Sequence, residues 1–200
     1  MTWIKTIPYE LAEDNLLKLY NQVKGPDNNV DNIMLAHSLR PHTMQGHMTL
    51  YKYTLHHPKN KISKWFLECI GIYVSMLNQC QYCVDHHFAG MNRLLNDQNK
   101  ATLIKQELLN RNHQLLNNKQ QVALDYVKQL TLSPASLSKE WITKMHKESW
   151  TDGQILEINQ VAAYFNYANR TVLGLGVHSE GDIIGLSPNN SDDPDDWNHR

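Results

Sequence analysis

The sequence predicts an all-α fold on three observations. Long stretches carry apolar residues at helical spacing, alternating runs of strand type are hard to find, and only 9 Gly and 7 Pro punctuate 200 residues. Hydrophobic residues make up 41% of the chain, which is enough apolar material for a core. We expect one helical domain over residues 1–186 and an acidic, proline-broken tail over 187–200. The tail either stays disordered or lies across a neighbour, and Trp197 within it favours docking.

Helix start and stop signals divide the chain into short helices. The first three predicted helices end at turn-forming residues 24–29, at Pro41 and at the pair 57–58. Ser63 is a candidate N-cap for the fourth helix. The helices predicted before the cysteines therefore span residues 8–20, 32–39, 43–55 and 63–77. After a helix that carries the cysteines, further helices are predicted at 100–109, 118–130, 138–149 and from Asp152 towards Leu173.

Charge and hydropathy exclude several classes of function. Nineteen Lys and Arg against 20 Asp and Glu give a formal net charge of −1, which disfavours general nucleic-acid binding. No uninterrupted apolar run reaches the roughly 18 residues that cross a bilayer, and the first twenty residues lack the pattern of a secretion signal. We expect a cytoplasmic protein with neither nucleic-acid nor membrane partners.

Residues 68–87 carry the most informative pattern in the chain. On a helix beginning at Asn78, the side chains of Cys80, Cys83 and His87 project from nearly the same face. Glu68 is twelve residues before Cys80, which on one straight helix is a separation of roughly 18 Å. We therefore expect the chain to turn before the cysteines.

The polar residues Ser75 and Asn78 are the candidates for this turn. A turn there lays the Glu68 helix antiparallel to the cysteine helix and brings the carboxylate back towards the thiols. The expected result is an antiparallel helix hairpin that carries a CxxC.

This set of residues meets the needs of thiol redox chemistry. It offers a base that makes a thiolate, a partner thiol that resolves the product, and a proton donor for the leaving group. A disulfide between Cys80 and Cys83 on a regular helix would need local distortion, and strain makes it reducible. The nucleophile stays open, because a helix N-terminus favours the thiolate of Cys80 whereas His87 is better placed to deprotonate Cys83.

Simpler interpretations exist for each candidate. The CxxC could be structural, or Cys80, Cys83, His87 and Glu68 could bind zinc, although closed zinc sites usually draw on other ligand sets. Cys69 is most simply a buried small hydrophobe. We expect His86 to be exposed or to support the site. Ordinary packing or surface roles are predicted for His37, His42 and His47. For Asn166, Asn169 and Arg170, we prefer a buried polar network or a subunit contact over contact with a substrate.

The spacing Glu68, eleven residues, Cys80, two residues, Cys83, three residues, His87 resembles the signature of the alkyl hydroperoxidase D-like branch of the carboxymuconolactone decarboxylase family. Further likeness to the peroxidase-related proteins of that branch lies at residues 32–33, 37–41, 80–87, 165–170 and 173–177. It covers nearly the whole chain. Decarboxylase members lack the cysteine pair, so the CxxC argues against a lactone decarboxylase.

The resemblance implies an all-α fold of paired helices, homo-oligomers (dimer, trimer or hexamer) and cofactor-free peroxide reduction with a dithiol protein or small molecule as reductant. By that analogy Cys83 attacks the peroxide, Cys80 resolves the sulfenic acid to a disulfide, and Glu68 with His87 relays protons. Tyr82 stands where the best-described members have a histidine, which implies a shorter or slower relay. Tyr82 and His86 are expected to support the four catalytic residues. A different hypothesis is a redox-sensing or structural oligomer whose disulfide toggles without turnover.

Overall fold

The computed structural model describes residues 2–186 together with Asp193, Asp196 and Trp197. This part of the chain forms helices and no strand, which confirms the predicted all-α class. The α-helices described are α1 Asp14–Val23, α2 Asn32–Ala36, α3 Pro41–Tyr51, α4 Lys64–Leu77, α5 Gln81–Leu95, α6 Gln98–Asn110, α7 Asn118–Leu132, α8 Lys139–Lys147 and α9 Asp152–Leu175. Most of the predicted tail, 187–200, lies outside the described residues.

Several predicted boundaries differ from the structure, three of them before α4. The first helix is broken, because Ala12 and Glu13 are extended between a 3₁₀ turn, Tyr9–Leu11, and α1. Pro41 opens α3 as its first residue, where its missing N–H is not needed. The helix predicted to reach residue 55 is regular only to Tyr51 and continues as a π-helical turn, Lys52–His56.

Helix α4 is the centre of the core and packs against α5, α7 and α9. Its residues from Phe66 to Ser75 are all buried, because apolar side chains continue around the whole helix. Gly71 lets α9 approach closely: a Cβ at this position would collide with the ring of Phe165. A helix buried on all sides holds its few polar side chains, Glu68 among them, away from solvent.

The connection from α4 to α5 is made by Asn78, Gln79 and Cys80. Gln79 adopts the left-handed conformation, with φ of 59°, and Cys80 is the extended N-cap of α5. The prediction that the cysteine helix begins at Asn78 is therefore wrong by three residues. The suggested turn at Ser75 is also wrong, since Ser75 lies inside α4 and its hydroxyl donates to the Gly71 carbonyl at 2.8 Å.

The segment after α9 returns across the molecule. Gly176 ends α9 in the left-handed conformation, and residues 177–186 then run over α2 and α5. The Asn32 amide donates to the carbonyls of His178 and Glu180, and Arg93 Nη1 donates to the Gly185 carbonyl at 2.6 Å. This segment forms one wall of the cavity described below.

Two residues of the predicted tail are held against the rest of the chain. Trp197 is buried, and the Asp196 carbonyl accepts a hydrogen bond of 2.9 Å from Nζ of the fully buried Lys52. Across the described ranges, no helix has both the length and the apolar character needed to cross a bilayer.

Candidate functional site

Glu68 and His87 form a buried acid–imidazole pair between α4 and α5. The Glu68 Oε2 atom lies 2.7 Å from His87 Nδ1, and the Glu68 side chain is only 2% exposed. His56, from the π-helical turn, places Nε2 at 3.9 Å from the other carboxylate oxygen. One carboxylate thus lies between two imidazoles, and its contact with Nδ1 fixes the orientation of the His87 ring.

The two cysteines of the CxxC are free, buried thiols that hydrogen-bond to each other. The hydrogen bond from Cys83 lowers the pKa of Cys80, because it stabilises the Cys80 thiolate. The same bond, together with burial, raises the pKa of Cys83 well above its ordinary value. In the reduced pair the Cys80 sulfur therefore carries the negative charge more readily. The third thiol, Cys69, is fully buried, which raises its pKa to about 12.

An amide network supports the pair from α9. The fully buried Asn169 side chain hydrogen-bonds to both thiols and lowers the pKa of each, and its Nδ2 donates to the Ser75 hydroxyl at 3.0 Å. Asn78 Nδ2 donates to the side-chain oxygens of Asn169 and Asn166 at 3.0 and 3.1 Å. The preferred interpretation of these asparagines as a buried polar network is thus incomplete, because Asn169 also contacts the sulfurs.

A cavity of about 50 Å³ opens beside Cys83. Its wall brings together the functional groups of five parts of the chain: a thiol, two carboxylates, three imidazoles and three phenols, namely Cys83, Asp31, Glu68, His47, His86, His87, Tyr51, Tyr82 and Tyr164. Burial raises the pKa values of Tyr51 and Tyr164 well above 10, so both phenols are neutral hydrogen-bonding groups. Cys80 is not part of this wall and instead lines two grooves on the outer surface.

A second acidic side chain, that of Asp182, contacts two residues of the cavity wall, Tyr82 and His86. Tyr82 OH donates to Asp182 Oδ2 at 2.7 Å, and the same oxygen lies 3.4 Å from His86 Nε2. Asp182 Oδ1 also accepts from the backbone N–H of Asn32 at 2.9 Å. These contacts tie the residue between the two cysteines to the segment 177–186.

The structure brings five of the six predicted site residues to one cavity, and Cys80 lies outside its wall. Cys83, Glu68, His87, Tyr82 and His86 all line the same cavity. His86 is neither exposed nor remote, since only 10% of its side chain is accessible.

Sequence reasoning missed four contributors to this site: Asp31, Tyr51, His56 and Asp182. They lie 12 to 95 positions from the nearest of the four predicted catalytic residues, so only tertiary structure reveals them. The one local signal was Asp31, an acidic residue at the start of a predicted helix.

Two of the three histidines with five-residue spacing also meet. The rings of His37 and His47 lie 5.2 Å apart, because the chain bends between α2 and α3 rather than continuing as one helix. His42 is exposed. The ordinary roles predicted for His37 and His42 stay predictions, whereas His47 lines the cavity. Over the ranges that the structure describes, no three His, Cys, Asp or Glu side chains are arranged to hold a metal ion.

Solved structures share this fold. An uncharacterized peroxidase-related protein from Silicibacter sp. TM1040 matches with a TM-score of 0.76 and 20% identity, over 89% of this chain and 91% of that one. An alkylhydroperoxidase AhpD core protein from Ralstonia eutropha JMP134, likewise uncharacterized and peroxidase-related, matches with a TM-score of 0.73 and 18% identity, over 89% and 92%. The resemblance drawn from the cysteine signature is thus confirmed at the level of the fold.

The same fold also occurs in an enzyme with different chemistry. A variant of the debrominase Bmp8 in complex with 2,3,4-tribromopyrrole matches with a TM-score of 0.70 and 17% identity, over 90% of this chain and 94% of that one. Neither a protein-family model nor a curated protein matches the sequence.

Proposed function

We propose that this protein is a cofactor-free thiol peroxidase that reduces hydrogen peroxide or small organic hydroperoxides. The observation that carries the proposal is the shared cavity: the Cys83 thiol and the Glu68–His87 pair open onto one space, and a second thiol, Cys80, lies within hydrogen-bond reach behind it. In this proposal, the antiparallel hairpin of α4 and α5 carries the CxxC and the Glu68–His87 pair.

The reaction takes place in two steps at sulfur. The Cys83 thiolate attacks one peroxide oxygen, so that the S–O bond forms, the O–O bond breaks and an alcohol or water leaves once it is protonated. The Cys80 thiol then attacks the sulfenic sulfur, water leaves, and a disulfide forms. An external dithiol restores both thiols. His87, held by Glu68, accepts the thiol proton before the first step.

The choice of Cys83 as nucleophile follows from position rather than from acidity. Cys80 holds the negative charge more readily in the reduced pair, but only Cys83 lines the cavity. Since the two sulfurs share one hydrogen bond, transfer of a single proton from Cys83 to Cys80 or to His87 places the charge on the accessible sulfur.

Consumption of hydrogen peroxide by the purified protein with dithiothreitol tests the proposal. We expect Cys83→Ser to abolish turnover. After pre-reduction and removal of dithiothreitol, we expect Cys80→Ser to react with one equivalent of peroxide and to stop as a sulfenic acid, detected by dimedone labelling. Cys69→Ser is the matched control and should keep full turnover. If Cys83→Ser consumes peroxide as fast as the unmodified protein, the assignment is wrong. If the behaviour of the two serine variants is reversed, Cys80 is the nucleophile.

The debrominase neighbour suggests a second candidate, reductive dehalogenation by the same thiols. The volume of the cavity favours peroxide: about 50 Å³ is one third of the roughly 150 Å³ cavity that accommodates a single benzene molecule. We therefore expect no bromide release from 2,3,4-tribromopyrrole under conditions that support peroxide turnover.

The non-turnover alternative is a redox-sensing oligomer. Exposed apolar side chains, among them Leu109 and Leu156, support our proposal that the protein forms a homo-oligomer. Light scattering of the oxidised and reduced forms separates sensor from enzyme. A change of oligomer with only stoichiometric peroxide loss supports the sensor, whereas repeated turnover at constant size supports the peroxidase. Metal analysis of protein purified without chelator tests the zinc alternative in the same preparation.

A further inference from the structure

Peroxide reduction needs two proton transfers, and the Glu68–His87 pair accounts for one of them. The thiol must lose a proton, and the oxygen that leaves the broken O–O bond must gain one, because hydroxide and alkoxide are poor leaving groups. A second acid on the same cavity would supply the leaving oxygen directly.

Asp31 is placed to protonate the leaving oxygen, and its contacts with the described residues give its side chain no structural role. It stands at the N-cap of α2, where an aspartate side chain usually accepts from the first turn, but its side chain makes no such bond. The backbone carbonyl of Asp31 accepts instead, from Met34 N at 2.8 Å and Leu35 N at 3.0 Å. Within the described residues Asp31 Oδ1 is buried without a hydrogen-bond partner, although the residue lines the cavity beside Cys83.

A buried carboxylate oxygen without a donor is costly, and such atoms in native structures usually mark a ligand or a bound water. The peroxide that enters this cavity carries an O–H group and, after bond cleavage, an oxygen that needs a proton. Either group satisfies Asp31 Oδ1.

Several charged and titratable groups face Asp31 from the packed elements. His86 from α5 favours its ionised form, and Asp182 from the segment 177–186 opposes it. Tyr82 and Tyr51 also lie within electrostatic reach. The other titratable groups on the cavity wall are His47, Glu68, Cys83, His87 and Tyr164.

We propose that Asp31 is the catalytic acid that protonates the leaving oxygen of the peroxide. The Cys83 thiolate attacks the nearer peroxide oxygen, the S–O bond forms, and the electron pair of the O–O bond goes to the outer oxygen. This oxygen takes the proton of the Asp31 carboxylic acid and departs as an alcohol or water. Sulfur is oxidised by two electrons, the peroxide is reduced by two, and Asp31 is left ionised until it regains a proton from solvent or from His86.

Burial raises the pKa of Asp31 to about 6, so the acid form is available near neutral pH. The carboxyl group is protonated below this pKa and ionised above it. A proton-donor role is therefore expected to weaken as the pH rises through about 6. The proposal rests on the peroxidase function above, and its test must separate the two.

The test compares two oxidants in single-turnover reactions of pre-reduced protein. Hydrogen peroxide expels a strongly basic oxygen, whereas peracetic acid expels acetate, which needs no proton from the enzyme. We expect Asp31→Asn to slow the reaction with hydrogen peroxide by about 100-fold or more and to leave that with peracetic acid within a few-fold. Alkylation by iodoacetamide, whose iodide also leaves unprotonated, should be unchanged. Asp85→Asn on α5, whose carboxylate accepts from Gln81 at the surface, is the matched control.

Each outcome has a distinct meaning. Equal slowing with both oxidants, or no slowing with either, overturns the acid role of Asp31. An unmodified protein that fails to react with hydrogen peroxide overturns the peroxidase function itself, and with it this inference. If Asp31→Asn does not fold, the pH profile of the unmodified protein decides. Both rates are first corrected for the fraction of thiolate, which is measured by alkylation. The corrected rate with hydrogen peroxide should then fall as the pH rises through about 6, whereas the corrected rate with peracetic acid should not. Parallel pH profiles for the two oxidants would contradict the proposal.

Discussion

At the scale of single residues, the position of Glu68 explains how a buried carboxylate is tolerated. Its two oxygens face His87 at 2.7 Å and His56 at 3.9 Å, and Gly90 on α5 leaves room for the carboxylate. A side chain larger than hydrogen at position 90 would press on Glu68, since a Cβ there would lie 3.3 Å from Oε1. The carboxylate is thus held by packing as well as by hydrogen bonding.

Glu68→Gln should therefore impair proton transfer while keeping the shape of the site. The amide can still contact His87 but no longer stabilises an imidazolium, and we expect the rate of peroxide reduction to fall by about 10² to 10⁴-fold. Stopped-flow measurement of peroxide consumption checks this. Glu10→Gln, at an exposed position, should have no effect. An undiminished rate in Glu68→Gln would locate the base elsewhere.

Asn169 provides a prediction about pH. Its amide lowers the pKa of both thiols, so thiolate forms at lower pH with Asn169 than without it. Asn169→Ala should shift the pH dependence of iodoacetamide alkylation upwards and lower the free energy of unfolding by about 1 to 3 kcal/mol, because Ser75 and Asn78 lose a buried partner.

The matched control is Asn159→Ala, on the same helix. Asn159 donates to Tyr126 at 2.7 Å, far from the cysteines. This variant should lose stability without any shift in the alkylation profile. A shift of the same size in both variants would mean that the effect is not local to the thiols.

At the scale of secondary-structure elements, the position of the site follows from the packing of α4. The approach of α9 to α4 at Gly71 brings Asn169 to the thiols, and the short connection to α5 brings His87 back to Glu68. The site is assembled from α3, α4, α5 and α9, from the N-terminal end of α2 and from the segment 177–186. Its geometry therefore depends on how closely these elements approach.

Gly71→Ala should disturb this packing. The added methyl group collides with the Phe165 ring, and we expect the free energy of unfolding to fall by about 1 to 3 kcal/mol, measured by urea denaturation. Gly46→Ala, in the middle of α3 with open space around it, should instead stabilise the protein by about 0.4 to 1 kcal/mol. Destabilisation by both substitutions would indicate a general intolerance to alanine rather than a close helix contact.

The helices were largely predictable because apolar periodicity and local punctuation are properties of short segments. The start of α5 was not, because the left-handed conformation of Gln79 is imposed by the α4–α5 connection and has no glycine to signal it. The group at Asp31 and Asp182 could not be predicted either. These residues are about 150 positions apart, and the return of the chain after Gly176 brings Asp182 to Asn32, the residue next to Asp31.

At the scale of the whole molecule, the contacts of Trp197 and Asp196 show that the chain end contributes to stability. The buried Trp197 and the hydrogen bond from Lys52 to the Asp196 carbonyl anchor the predicted tail at this point. Trp197→Ala should lower the free energy of unfolding by about 3 kcal/mol. Trp3→Ala is the matched control, since Trp3 is 79% exposed and its loss should cost less than about 0.5 kcal/mol. Equal costs would contradict docking of the chain end.

The two cysteines line different spaces: Cys83 lines the cavity, and the buried Cys80 lies beneath two grooves whose walls include Gln79, Gln81 and Val84. For the proposed peroxidase, we therefore expect oxidant and reductant to approach from different sides. In steady-state kinetics this separation corresponds to a ping-pong pattern, with parallel double-reciprocal lines and no competitive inhibition by excess reductant. For the proposed peroxidase, we therefore expect kcat/KM for peroxide to stay constant while the supply of reducing equivalents varies.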